Sequence, residues 1–178
     1  MTLDGSRAPL VVPPSAEGGG GSGPPATYPT WSPDGTVILA RGYPSTGVVA
    51  INPDTGDEVV LADPKSRAWI GRPAWTPDGR TIVFSGEVRR GGMWHTAATI
   101  WTADADGSHD RAVYDCDWCA MPSFAVSPDG TTIVFSVDIA RGREGEDGVY
   151  VMRLDGSGLN RIGTAGELPI WQPLPREG

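Results

Sequence analysis

The 178-residue sequence predicts an all-β fold, a β-propeller segment with three complete four-stranded blades plus parts of a flanking blade. Three observations carry this. The tetrapeptide Ser/Thr-Pro-Asp-Gly occurs at residues 32–35, 76–79 and 127–130. Each copy sits in the same longer pattern: PTWSPDGTVILA from Pro29, PAWTPDGRTIVFSGE from Pro73 and PSFAVSPDGTTIVFSVD from Pro122, with a fourth start, PIWQP, at Pro169. The prolines Pro33, Pro77, Pro128 and Pro173 follow one another at 44, 51 and 45 residues. Self-similarity at that period, with strand-like content, marks propeller blades. No segment keeps an apolar period of 3.6, so no long helix is expected.

The second copy shows how one blade is built. Residues 72–75 are short and extended. The turn at 76–79 follows, in which Pro presets φ, Asp suits the second central position and Gly accepts a left-handed conformation. The β-branched and aromatic run 81–85 reads as a strand. After a polar loop come a third strand at 99–103, a turn at 104–108 and a fourth strand at 111–114. The first copy reads as strands near 27–31, 36–40, 47–52 and 58–61, with turns at 32–35 and 53–56. The third reads as strands near 123–126, 131–136, 149–154 and 160–162, with its second turn at 155–158.

The opening residues align with 152–162, so 1–12 read as the end strands of a partial blade. That blade's first strand falls near 168–171, and its second strand is missing. The expected organisation is end strands at 1–12, a Gly/Pro-rich inter-blade loop at 13–26, blades at 27–62, 63–115 and 116–163, and the start of a further blade at 164–178. Such an arrangement leaves two sheet faces open. The chain is therefore expected to be part of a longer propeller or to pair with a second copy.

Composition excludes several partners. Gly (25) and Pro (17) are abundant and net charge is −8, which suits tight turns but supplies no basic stripe for nucleic acid. No stretch approaches the ~20 apolar residues of a membrane span. No signal peptide opens the sequence, so on its own start the chain would stay in the cytoplasm.

Candidate sites are few. Cys116 and Cys119, in the run Asp115-Cys116-Asp117-Trp118-Cys119, suit a small disulfide, half of a metal site, a redox pair or two plain thiols. Zinc would need four ligands, and His95 and His109 are the only histidines. No bound metal or cofactor is expected. The run from Asp104 to Asp110 resembles a calcium loop but lacks its distal Glu and its helices, so it reads as a turn. The loops between second and third strands, 87–95 and 141–148, fall at one blade position and should share one rim. That rim offers Arg89, Arg90, Trp94, His95, Arg141 and Arg143 to a protein partner, with Trp94 as the kind of aromatic that anchors interfaces. Trp31, Trp75 and Trp171, just before their turns, read as packing between blades. No Ser/His/Asp set, carboxylate pair or phosphate-cradling loop is evident.

The residues Trp31-Ser32-Pro33-Asp34-Gly35, Ile82-Val83-Phe84, Ile133-Val134-Phe135 and Val149-Tyr150-Val151-Met152-Arg153-Leu154-Asp155-Gly156 resemble the TolB-type, WD-like propeller repeat. Related repeats occur in propellers of prolyl oligopeptidase-like proteins. The resemblance covers nearly the whole chain and implies a non-catalytic scaffold for protein–protein interaction in a periplasmic or extracellular setting. It leaves one alternative open: an accessory or substrate-gating propeller of a peptidase- or lyase-like enzyme. No Gly-x-Ser-x-Gly elbow lies in these residues, so the catalytic part of such an enzyme would be elsewhere.

Overall fold

The computed structural model describes residues 26–42, 47–62, 69–90, 96–120, 123–139, 147–164 and 169–172. Twelve strands form three antiparallel four-stranded sheets, each in sequence order, and the described residues contain no helix. The first sheet is β1 (Ala26–Trp31), β2 (Ile38–Gly42), β3 (Val48–Ile51) and β4 (Glu58–Ala62). The second is β5 (Trp69–Trp75), β6 (Thr81–Arg89), β7 (Thr96–Asp104) and β8 (Arg111–Asp117). The third is β9 (Phe124–Val126), β10 (Thr132–Val137), β11 (Gly148–Arg153) and β12 (Asn160–Gly163). These are the three blades the repeat predicts. The expected end strands at 1–12 lie outside the described residues.

Some boundaries differ from expectation. Strand β2 opens at Ile38, two residues late, after a turn that binds the two amides before it. Thr36 N–H donates to the Asp34 carboxylate at 3.0 Å and Val37 N–H to Ser32 Oγ at 2.9 Å. In the second sheet the central hairpin runs further than expected. Glu87, Val88 and Arg89, assigned to a loop, pair with Ala98, Ala97 and Thr96. Ala97 and Ala98 are fully buried, so the ladder continues because its second strand still has a face to bury. Strand β8 likewise extends to Asp117, which puts Cys116 in a strand opposite Ala98.

The three Pro-Asp-Gly turns are one structure repeated. The hydroxyls of Ser32, Thr76 and Ser127 donate to the carboxylates of Asp34, Asp78 and Asp129 at 2.6, 2.7 and 2.5 Å. They accept the amides of Val37, Thr81 and Thr132 at 2.9, 3.0 and 2.9 Å. Gly35, Gly79 and Gly130 close the turns at φ of 73°, 70° and 72°. The hydroxyl bond first, then the amides of Thr36, Arg80 and Thr131, hold all three carboxyls below their usual range. A lowered folded-state pKa stabilises the fold above the unfolded value of about 3.9, and that stabilisation fades as pH falls through the lowered values. Urea unfolding should therefore lose midpoint steadily below about pH 4. The triple variant Asp34→Asn, Asp78→Asn, Asp129→Asn should show a shallower loss. Parallel pH profiles for the two proteins would refute this.

Side-chain alternation builds the core between sheets. In β6, Ile82 and Phe84 face the first sheet, where they meet Leu39, Val48 and Ala62; Phe84 stacks on Trp101 at 5.6 Å. Val83 faces the third sheet, where Ile133, Phe135 and Met152 complete a second cluster. Phe135 packs on Tyr114 at 4.6 Å and on Tyr150 at 5.8 Å. Burial pushes the Tyr114 phenol up to about 12. The turns also stack across blades. A Cβ added to Gly130 would lie 3.2 Å from Pro77 Cδ, and one at Gly79 3.7 Å from Pro33 Cδ. The second turns rest on the preceding blade's fourth strand, Gly107 on the Leu61 backbone and Gly156 on that of Val113.

The two ends differ from expectation. The face of the first sheet turned away from the second was expected to be open. There Ala40, Val49 and Ile51 are buried as a third cluster, with Ile38 packed against them. The fourth start, expected as a first strand near 168–171, forms no strand across 169–172. It lies instead beside β9, with Trp171 Nε1 donating to the Ala125 carbonyl at 3.1 Å. Trp75 packs against the cluster between the first two sheets as expected. Trp31, expected to pack between blades, stands 49 % exposed.

Candidate functional site: an arginine-lined cleft at the axial end

Register decides which residues share an end of the molecule. Ala26 at the start of β1 pairs with Gly42 at the end of β2, and Trp69 pairs with Glu87 in the same sense. The connections between second and third strands therefore leave from the end at which β1, β5 and β9 begin. The Pro-Asp-Gly turns occupy the opposite end. Strand β1 lies against β5, and β5 against β9, so the first strands form the axial layer.

A cleft of about 330 Å³ opens where those first strands begin. Its polar wall comes from two repeat positions. Tyr28, Arg72 and Ser123 each stand three residues before the last residue ahead of the turn, and Arg41 and Ser85 are equivalent positions on the second strands. Phe124, Ala125, Pro169 and Ile170 supply an apolar wall. The scaffold repeats, whereas these positions change side chain from blade to blade.

Two guanidinium groups lie over the Tyr28 ring, Arg41 at 5.1 Å and Arg72 at 4.7 Å from its centroid. Arg41 Nη1 also donates to the Ile70 carbonyl at 3.4 Å. Tyr28 has φ of 58° inside a register break between Thr27 and Thr30. A left-handed non-glycine residue ahead of proline is strained by about 1–3 kcal/mol. None of the described residues lining the cleft is acidic, although the chain carries a net charge of −8.

The residues singled out in the sequence are placed as follows. Arg89 ends β6, and Arg90 pairs with the carboxylates of Asp115 and Asp117 on β8. Trp94, His95, Arg141 and Arg143 lie outside the described residues. The strands that lead to them, β6, β7 and β11, converge on the same end as the cleft. Cys116 and Cys119 are joined at that end, with Cα atoms 5.7 Å apart; Cys119 is buried and bridges to Ile139. His109 is held by Asp104 at 2.8 Å and Ser108 at 3.1 Å, within a turn in which Asp106 accepts the Ser108 amide. Tyr28, Arg41 and Arg72 were not singled out. The signal that could have found them is a difference between aligned repeats: Tyr, Arg and Ser at one position, Arg, Ser and Ser at the other.

No family model and no curated protein matches the chain. Solved structures do. A protein assigned as TolB from Agrobacterium tumefaciens is similar at 26 % identity over 79 % of this chain and 50 % of its own, with a TM-score of 0.59. TolB from Acinetobacter baumannii is similar at 20 % identity over 77 % of this chain and 32 % of its own, TM-score 0.57. An oligogalacturonate lyase, solved in complex with manganese, is similar at 14 % identity over 82 % and 42 %, TM-score 0.63. The chain spans half or less of each. The class that the sheets define is the β-propeller. Within it the blades are similar to those of TolB, a fold also seen in the lyase.

Proposed function

We propose that the chain is a non-catalytic propeller module for protein–protein interaction, and that its contact surface is the axial end around the cleft. One observation carries the reading: repeat-equivalent positions converge on a single cleft with different side chains. A rigid scaffold with variable projections is how binding surfaces are built. The rim expected from the sequence, Arg89, Arg90, Trp94, His95, Arg141 and Arg143, would extend the proposed surface; of these, Arg90 is held by Asp115 and Asp117. A photo-crosslinking amino acid placed at Ser123, in cells making the intact protein, should form protein adducts. The same group at Val59, exposed on β4, should not. Adducts from Val59 alone, or from neither site, would overturn the proposal.

The second reading, an accessory propeller of a peptidase- or lyase-like enzyme, draws on the likeness to oligogalacturonate lyase. It places a catalytic part outside this chain and makes the cleft a passage or seat for substrate. Ser123 adducts confined to one enzyme would favour it.

A further inference from the structure

We propose that the Cys116–Cys119 disulfide is exchange-active: a dithiol reductant attacks Cys116, and reduction loosens the junction between the second and third sheets at the axial end. Where the two sulfurs sit carries the inference, which does not depend on the interaction reading above. Cys116 lies in β8 opposite Ala98 and is partly exposed. Cys119 is 2 % exposed and belongs to the core cluster shared by the second and third sheets. The bond therefore offers one sulfur to solvent and hides the other. Exchange needs an accessible sulfur, which here is that of Cys116. The attacking thiolate bonds to Cys116 Sγ, the Cys116–Cys119 bond breaks, and Cys119 leaves as a thiolate that takes up a proton. The reductant's second thiol loses its proton and attacks the reductant's own sulfur in the mixed disulfide. Cys116 is released and protonated, and the dithiol is left as a cyclic disulfide. A monothiol stalls halfway. Cys119, three residues away, returns to Cys116 and expels the monothiol before a second molecule arrives.

The position of the bond gives reduction a local consequence. Closing so short a loop takes little entropy from the unfolded chain, so the bond is poorly placed to stabilise the whole domain. It does tie the crossing from one blade to the next. Cys119 bridges to Ile139, and Ala120 N–H donates to the Asp138 carbonyl at 2.9 Å, so the chain has already joined the third sheet's side at residue 119. Ile139 N–H donates to the Asp147 carboxylate at 2.7 Å, and Arg161 Nη2 on β12 donates to the Asp147 carbonyl at 2.6 Å. The disulfide thus couples the last strand of the second sheet to bonds that run across to the last strand of the third. Trp118, between the cysteines, has φ of 65°. That conformation is an outlier for a bulky residue and persists only where the surroundings impose it. The closed ring is one such constraint, and opening it lets the turn relax.

The test uses the intact, oxidised chain without denaturant. Dithiothreitol should expose both thiols to a maleimide, and glutathione at the same thiol concentration should expose less than about a tenth as much. In the reduced protein the amides of Ala120 and Ile139 should exchange hydrogen about tenfold faster or more. The Phe135 amide, in the middle of β10, and the urea midpoint should stay near their oxidised values. Cys119→Ala, treated with oxidised glutathione, should keep a glutathione adduct on Cys116. Cys116→Ala, which retains the buried sulfur alone, should not. Thiols reached only in urea, adducts formed equally by the two variants, or unchanged exchange at Ala120 and Ile139 would overturn the proposal. A collapse of the urea midpoint on reduction would also overturn it and make the bond a staple of the whole fold.

Discussion

Gly107→Ala should destabilise the protein far more than Gly56→Ala, although the two glycines hold equivalent places in neighbouring blades. Both lie at positive φ, 83° and 78°. Both substitutions therefore share the conformational cost of a left-handed alanine, about 1–2 kcal/mol. They differ in what the new methyl group meets. At Gly56 nothing lies within 4 Å. At Gly107 the Cβ would collide with the Leu61 carbonyl oxygen and stand 2.6 Å from its carbon. That obstacle is backbone of β4 and cannot rotate away, so the blades must separate. Overpacking of this kind adds about 1–3 kcal/mol, a large part of the ~5–15 kcal/mol that holds a domain folded. Urea unfolding of the two variants isolates the inter-blade contact. Equal losses of midpoint would show that the second turn does not bear on the preceding blade.

The fold could be read because its signal is periodic and local. The Ser/Thr-Pro-Asp-Gly turn is specified by bonds among residues at most five apart, so three copies announce three equivalent corners. Ile82-Val83-Phe84 and Ile133-Val134-Phe135 read as strands in the sequence, and in the fold Ile82 and Phe84 face the first sheet, Val83 the third, and Ile133 and Phe135 the second. Strand ends were less legible. Whether β6 continues past Ser85 depends on the burial of Ala97 and Ala98 on another strand, which no local rule reports. The cleft was hidden for a related reason. Tyr28 is 44 residues from Arg72 and 13 from Arg41, and only sheet register and blade packing bring the three together. The charged loops look exposed in the sequence, yet Arg90 is engaged by Asp115 and Asp117. The arginines over Tyr28 lie within strands that read as scaffold.

Phe135→Ala should cost about 3–5 kcal/mol, the range for emptying a large aromatic site in a core. Phe135 is completely buried. It touches Tyr114 of the second blade and Tyr150 of its own, and it belongs to the cluster that joins the second and third sheets. The equivalent residue of the first blade is Ala40, so the position tolerates a small side chain only where the neighbouring surface is shaped for one. At the junction of the second and third sheets it is not. The tyrosines are anchored in β8 and β11 and cannot close the gap without moving their strands. Because Tyr114 is half-buried against Phe135, the substitution should also expose its phenol and bring its titration down from about 12 toward the ordinary tyrosine value of about 10. Two readouts follow: a large fall in unfolding midpoint and a lower pH for the tyrosinate absorbance of the folded variant. Phe135→Leu, which keeps most of the volume, should lose less than half as much midpoint. If Phe135→Ala and Phe135→Leu were equally mild, the second and third blades would not be joined through this residue.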